Sequence, residues 1–598
     1  MYIRRVKTRR TSTGETYYSH RLVESRREGG RVRQITLLNL GSHFDVPESH
    51  WNALCLRLSQ LLGQQGVLVP ADLPDGVESM AQALAARLVA RSPGAAAPAE
   101  FVEVDVSSLQ LLQPRSVGVE SVGLHALAQL GLDALLTSLG INAITRAMIV
   151  AQVIGRLAAP ASELATWRWL DERSALPELL DLSLPELSIM RLYRAADALL
   201  KHQEAIESHL FAKVQDLFNL PATVSLYDLT NTYFEGAAEA NTKAKRGHSK
   251  EKRTDCPLLT LGLVLDSSGF VRRSRVLAGN AVECRTLAGM LQDLDAPKGA
   301  LIVMDRGIAT EANLGWLREE GYRYLVVSRE RTRTAPEGET MVTTAGGEAI
   351  RVEKVVDEAA GEVRLYCHSP GREQKEIGIS QRFCERFEAG LKKLADGLTR
   401  PRGAKLPETI HERIGKLKQS SFGAGQHYAI TVDTNDEQTQ VTRITWEKKP
   451  VAGSMLTDPG VYCLRSNETT WDEERLWRTY MMLTDLEAVF RSLKSELGLR
   501  PVYHSKEARS DGHLFITVLA YQCVQLVRRQ LKEKGIDLGW RNLRDILSVQ
   551  QRVTARFTQR DGRTLHVRKA TQPEPNLRAI YDALGLDHLP GGTKKRVD

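Results

Sequence analysis

ATVSLYD (residues 222–228) and ALIVMD (300–305) are two short apolar runs, and each ends in an aspartate. Bounded runs of this length read as buried strands. A carboxylate at the end of such a strand leaves the core and meets solvent at the sheet's edge. Between the two runs lie LLTLGLVLD (258–266) and FVRRSRVL (270–277), a hairpin around Ser267-Ser268-Gly269, and then CRTLAGMLQDL (284–294), a helix. A second helix is expected over 309–319 and a further strand over YRYLVVS (322–328). The element order is therefore β-β-β-α-β-α-β, with Asp228 closing the first strand and Asp305 the fourth.

That order resembles the ribonuclease-H-like core, in which the first and fourth strands lie side by side, so that the two aspartates converge. Convergent carboxylates repel unless a cation lies between them, and hard oxygen ligands suit Mg²⁺ or Mn²⁺. Taken singly, each aspartate reads equally as the start of a turn. A third acidic candidate lies in WDEERLWRTYMMLTDLEAVFRSLKSEL (471–497). Read as a helix over roughly 472–497, this segment turns Leu476, Leu483, Leu486, Phe490 and Leu493 inward. Tyr480, Glu487 and Lys494 recur every seven residues and share a face, with Arg491 one turn from Glu487. An i,i+4 pair between Glu487 and Arg491 is worth only about 0.2–0.5 kcal/mol. A glutamate reaching from the margin of the apolar stripe toward two aspartates completes a metal site.

Outward from this core, residues 1–90 read as a small antiparallel β segment followed by helices, with turns at Gly14 and Gly29-Gly30. SPGAAAPAE marks a linker over 91–100, and 101–220 is a Leu/Ala-rich helical domain. The core's first part spans 221–329 and its second part 456–550. A β-rich insertion, with helical material near 374–418, separates them over 330–455. Residues 551–598 read as a hairpin turning at Asp561-Gly562, then a frayed tail. The fold class is α/β: a ribonuclease-H-like catalytic core interrupted by a β-rich insertion, with an N-terminal β segment and a helical domain.

The chain has 598 residues, 42% hydrophobic and 26% charged, which excludes disordered and fibrous classes. No apolar run reaches the roughly 18 residues of a membrane helix, and MYIRRVKTRR has no apolar stretch behind it to make a secretory signal. Seven scattered cysteines without a CxxC pair read as reduced thiols, and a cytoplasmic location is expected. The net charge is +8, and its basic residues cluster. Arg4, Arg5, Lys7, Arg9, Arg10, Arg21, Arg26, Arg27, Arg31 and Arg33 face only three glutamates in the first 33 residues. Further clusters lie at Lys243–Arg253 and Lys392–Lys418. Basic segments this far apart suit a long polyanion.

Tyr480-x2-Leu483-x3-Glu487-x6-Lys494 resembles the Y-x2-R-x3-E-x6-K signature of bacterial insertion-sequence transposases of the DDE class. YDLTNTYFEG (227–236), GHSKEKRTDCPLLTLGL (247–263), VMDRG (303–307) and LEAVFRSLKSELGLRPVYH (486–504) look like that family's neighbouring blocks. Leu483 departs from the signature, which has arginine there. The resemblance implies that Asp228, Asp305 and Glu487 hold two divalent ions, Mg²⁺ or Mn²⁺, for cleavage and joining of DNA. It implies DNA contacts at Tyr480, Lys494 and Arg491, and at Lys250 and Arg253 in the GHSKEKR loop. The partners implied are transposon-end DNA with its terminal inverted repeats and target DNA, bound by a homodimer at the bacterial nucleoid. Trp446 and Trp471 read as packing residues before base-stacking ones, and His504 and His513 as structural or phosphate-facing. No ATP-binding loop is present. A nuclease without strand transfer and a catalytically decayed repressor stay open as alternatives.

Overall fold

The computed structural model describes the chain apart from residues 10–15, 29–30, 42–43, 45, 63–72, 75, 90–100, 185–186, 219–223, 248–252, 293–297, 331, 345 and 401–404. The expected turns at Gly14 and Gly29-Gly30, and the linker, lie outside the described residues. Two units form: Met1–Leu112 with Thr554–Lys569 and Gly592–Asp598, and Gln113–Val553 with Ala570–Gly591.

In the first unit, β1 (Tyr2–Arg9), β2 (Thr16–Glu28) and β3 (Arg31–Gly41) make the expected antiparallel sheet. Alternation turns Ile3 and its partner Leu22 inward, against Leu54 and Leu58 of α1 (Trp51–Leu61) and Ala81 and Leu84 of α2 (Val77–Val89). The next register pair, Arg4 opposite Arg21, is exposed. The stretch expected to open the helical domain is instead a strand, β4 (Val104–Ser116).

In the second unit, α3 (Gly118–Gln129), α4 (Leu132–Ser138), α5 (Ala143–Ala158), α6 (Glu163–Glu172), α7 (Leu176–Leu179), α8 (Met190–Leu200) and α9 (Gln203–Phe218) form the expected helical segment. The core follows as β5 (Val224–Tyr233), β6 (Leu258–Asp266), β7 (Val271–Ala278), α10 (Leu287–Gln292), β8 (Leu301–Met304), α11 (Glu311–Glu319) and β9 (Arg323–Val327). β5, β6 and β7 are an antiparallel meander, whereas β8 runs parallel to β5 and β9 parallel to β8. This is the ribonuclease-H-like arrangement. One boundary differs: β5 does not end at Asp228 but continues to Tyr233, because β6 supplies antiparallel partners as far as Leu258.

The insertion is less β-rich than expected. It contains β10 (Met341–Thr343), β11 (Ala349–Asp357), β12 (Glu362–His368), α12 (Pro370–Leu398), α13 (Pro407–Ser420), β13 (Tyr428–Thr434) and β14 (Val441–Lys448). Its first three strands are not separate from the core. β15 (Val461–Ser466) pairs with both β12 and β9, giving one nine-stranded sheet in the order β10-β11-β12-β15-β9-β8-β5-β6-β7. Buried Glu362 on β12 fixes this join, accepting from Arg318 of α11, Tyr324 of β9 and Arg465 of β15. The rest of the insertion has its own core, in which Phe387, Leu391, Ile410 and Ile414 pack on Tyr428, Val441 and Ile444.

Helices α14 (Glu473–Ser495), α15 (Glu507–Glu533) and α16 (Trp540–Ser548) follow. Asp472 caps α14, its carboxylate accepting from Arg475 N at 2.7 Å. Gly498, at φ 68° and close against Pro160, turns the chain out of it. β16 (Gln551–Gln559) and β17 (Thr564–Ala570) form the expected hairpin, and α17 (Pro575–Leu584) comes next. The tail is not frayed. Its last residues form β18 (Lys594–Val597), the outer strand of a sheet ordered β18-β17-β16-β4. No single helix among the described residues is long and apolar enough to cross a membrane.

Candidate active site

The register between β5 and β8 builds the site. Their last paired residues are Tyr227 and Met304. Leu226 and Val303 belong to the large core on one face of the sheet. Tyr227 and Met304 belong to the smaller cluster on the other, with Leu287, Met290, Leu314 and Leu317 of α10 and α11. Strand alternation therefore assigns Asp228 and Asp305, the next residue of each run, to the first face, side by side at a strand spacing of roughly 4.8 Å. That face is the one α14 packs against, over β5, β8 and β9. Asp228 is half-buried and Asp305 exposed. Asp228 Oδ1 accepts from Leu229 N at 2.7 Å and Asp305 Oδ1 from Arg306 N at 2.6 Å, so each carboxylate is oriented by the following amide. Two neighbouring hard-oxygen donors at a solvent-facing sheet end fit a divalent cation of the Mg²⁺ class.

Glu487 occupies a position of α14 one turn from both Leu483 and Phe490; its side chain lies outside the described residues. On the same helix Leu476, Trp477, Val489, Phe490 and Leu493 are buried and Leu483 is half-buried, while the side chain of Leu486, also expected inward, lies outside the described residues. Leu483 packs against the main core, which accounts for an apolar residue where the family signature has arginine. Tyr480 and Lys494 are half-buried and Arg491 is exposed.

Sequence reasoning missed Glu283, which sits in a short 3-10 turn with no strand-end signal. A Cβ added at Gly307, two residues past Asp305, would lie 2.9 Å from Glu283 Oε2. Tyr227 senses both neighbouring acids: burial raises its hydroxyl pKa, the Thr286 hydrogen bond opposes this, and the charges of Asp228 and Glu283 add to the rise. Glu283 is thus a further carboxylate at the same edge.

Among the expected DNA contacts, Arg253 is already engaged within the protein. Lys250 lies outside the described residues. Arg253 makes two 2.7 Å bonds to Asp255 and stacks 4.5 Å from the Tyr233 ring. Lys243 pairs with Asp511 at 2.6 Å. Trp446 packs in the insertion's core, and Trp471 lies half-buried beneath the Arg475 guanidinium.

His504 lies between α14 and α15, and His513 lies on α15. The fold brings both histidines to Glu163, with potential ligand atoms within 4.8 Å of one another. Arg156 already supplies the cation there, its Nη2 2.7 Å from His513 Nδ1 and 3.4 Å from Glu163. Burial alone would raise the Glu163 pKa. The His504 hydrogen bond and the Arg156 charge oppose it, and the carboxyl is held far below the usual range. Burial and Arg156 push His513 down to about 4 against the pull of Glu163. Neutral His513 then accepts from Arg156 and donates through Nε2 to Gly498 O at 3.2 Å. The cluster fastens α5, α6 and α15 to the chain that leaves α14.

Residues 220–523 match the family model described as the transposase DDE domain. Residues 3–65 match that of the IS1634 family transposase N-terminal domain. Among solved structures the chain is similar to the piggyBac transposase in its synaptic complex with hairpin DNA, at 10% identity over 67% of this chain and 71% of that one, with a TM-score of 0.31. It is similar also to the Mos1 transposase in a paired-end complex with the left transposon end, at 10% identity over 47% and 78%, with a TM-score of 0.13. No curated protein matches the chain.

Proposed function

The chain belongs to the transposases with a DDE domain, and from that premise we propose that Asp228, Asp305 and Glu487 form the site at which it cuts and joins DNA. It is a DNA transposase, and such enzymes use divalent metal. The observation that supports this site most is the parallel register ending at Tyr227 and Met304, directly before the two aspartates.

We assign two ions of the Mg²⁺ or Mn²⁺ class to the three carboxylates. Ions held there polarise the scissile phosphate and lower the pKa of the attacking hydroxyl. The protein's own part is placement. Asp228 would be set by its pairing with β6 just past the last β8 partner, Asp305 by the turn after β8, and Glu487 by a helix packed on β5, β8 and β9. Lys494, two turns beyond Glu487, holds a neighbouring DNA phosphate, and Tyr480 and Arg491 extend the same track. Arg4 and Arg21 stand opposite each other across β1 and β2, a like-charge pair that an overlying polyanion would relieve. That pairing suits a DNA-contacting N-terminal sheet. Two copies, each holding one terminal inverted repeat, would make the assembled complex a homodimer that engages target DNA.

The test uses isosteric amides. Asp228→Asn, Asp305→Asn and Glu487→Gln each keep side-chain shape and remove the charge that binds metal. Each is expected to abolish Mn²⁺-dependent nicking of a duplex carrying the element's end, while gel-shift affinity for that duplex persists. Near wild-type nicking by any variant removes that residue from the site.

A further inference from the structure

We infer that Arg329 is a positioning residue for Asp305, an inference that rests on the site proposed above. Asp305 opens the turn that follows β8: Ile308 N and Ala309 N donate to its carbonyl at 3.1 and 3.3 Å. Arg306 and Gly307 form the exposed part of this turn, where no apolar burial holds them. Arg329, two residues beyond β9, reaches across to them. Its Nε donates to Arg306 O at 2.9 Å and its Nη2 to Gly307 O at 2.7 Å. In return Arg306 Nη2 donates to Arg329 O at 3.3 Å.

The chain segments leaving two adjacent parallel strands are thus tied by reciprocal arginine-to-carbonyl bonds, just past the last register pair, Met304 with Val326. The tie has a consequence for the carboxylate. Asp305 Oδ1 takes its hydrogen bond from Arg306 N, and Arg329 grips the carbonyl of that same residue. A planar guanidinium fork fixes two successive carbonyls at once, which a lysine ammonium does not reproduce. Groups that orient a metal-binding carboxylate affect metal affinity without touching the metal. Arg329 is exposed, so the competing reading is a phosphate contact, and the two readings give different results.

The experiment compares Arg329→Gln and Arg329→Lys with the unchanged full-length chain. Mn²⁺ affinity is measured without DNA by the electron paramagnetic resonance of free Mn²⁺. Backbone order is followed by hydrogen–deuterium exchange over 304–309. DNA binding is read by gel shift on a duplex carrying the sequence that flanks the reading frame. For Arg329→Gln we expect Mn²⁺ affinity to fall by roughly tenfold or more, faster exchange at 306–309 and unchanged DNA binding, with Arg329→Lys in between. Unchanged Mn²⁺ affinity and exchange would overturn the inference, and weakened DNA binding alone would make Arg329 a phosphate ligand instead. Asp305→Asn separates the two levels. If it binds Mn²⁺ and nicks normally, the proposed site itself fails. If it loses both while Arg329→Gln loses neither, only the positioning role fails.

Discussion

Asp228 and Glu207 are both acidic residues in or beside the core sheet, and their surroundings give them opposite tasks. Asp228 sits where pairing with β8 stops, and its position was legible because an apolar run gives way to a carboxylate, although β5 itself runs on to Tyr233. Glu207 on α9 carried no such signal. It is buried, and accepts from Ser274 N at 2.9 Å and Ser274 Oγ at 2.5 Å, with Arg273 Nε 3.7 Å away. Burial pushes its carboxyl up to about 7, against the bonds from Ser274 and Gln203 and the Arg273 charge. The folded chain therefore holds a proton on Glu207 that the unfolded chain releases near the ordinary glutamate range. The stability it contributes is complete below that range and is lost as pH rises toward 7. The full loss is on the order of 3 kcal/mol. Glu207→Gln is expected to match the unchanged protein in thermal unfolding at pH 4 and to melt higher at pH 8. Equal pH slopes for the two proteins would refute this.

At the scale of elements, α14 was legible because its apolar positions recur at helical spacing, its cap is an aspartate and a glycine follows it. The insertion was less legible. Its helices announced themselves by periodicity, but pairing of β12 with β15 joins residues about a hundred positions apart, and side-chain alternation names a face without naming a neighbour. Likewise β4 was hidden, because its partner β16 lies near the opposite end of the sequence, and β18 was hidden because it joins β17 across the intervening α17. The helix register carries its own prediction. Lys494 lies about 10 Å along the axis from Glu487 at roughly 1.5 Å per residue, which reaches an adjacent phosphate without reaching the metals. Lys494→Ala should slow cleavage of the end-bearing duplex and leave the Mn²⁺ concentration for half-maximal rate unchanged. Lys494→Arg should keep part of the rate, since charge matters there more than fork geometry. Full rescue of Lys494→Ala by extra Mn²⁺ would place Lys494 in the metal site's electrostatics instead.

Across the whole molecule, the site draws on three segments far apart in sequence, and only the sheet order makes neighbours of two of them. That order was readable from the succession of strands and helices because parallel neighbours need a crossover between them, and β6, β7 and α10 supply it. The Glu163–His504–His513 cluster was not readable, because its members come from α6, from α15 and from the segment between α14 and α15, and no local pattern encodes how these pack together. The central claim is that Asp228 and Asp305 bind the same catalytic metal centre. The most direct measurement is cleavage by Asp228→Cys and Asp305→Cys in Mg²⁺ and in Mn²⁺. A thiolate is a poor ligand for hard Mg²⁺ and a better one for the softer Mn²⁺. Both variants should be inactive in Mg²⁺ and regain cleavage in Mn²⁺, whereas near wild-type cleavage in Mg²⁺ by either one would contradict the claim.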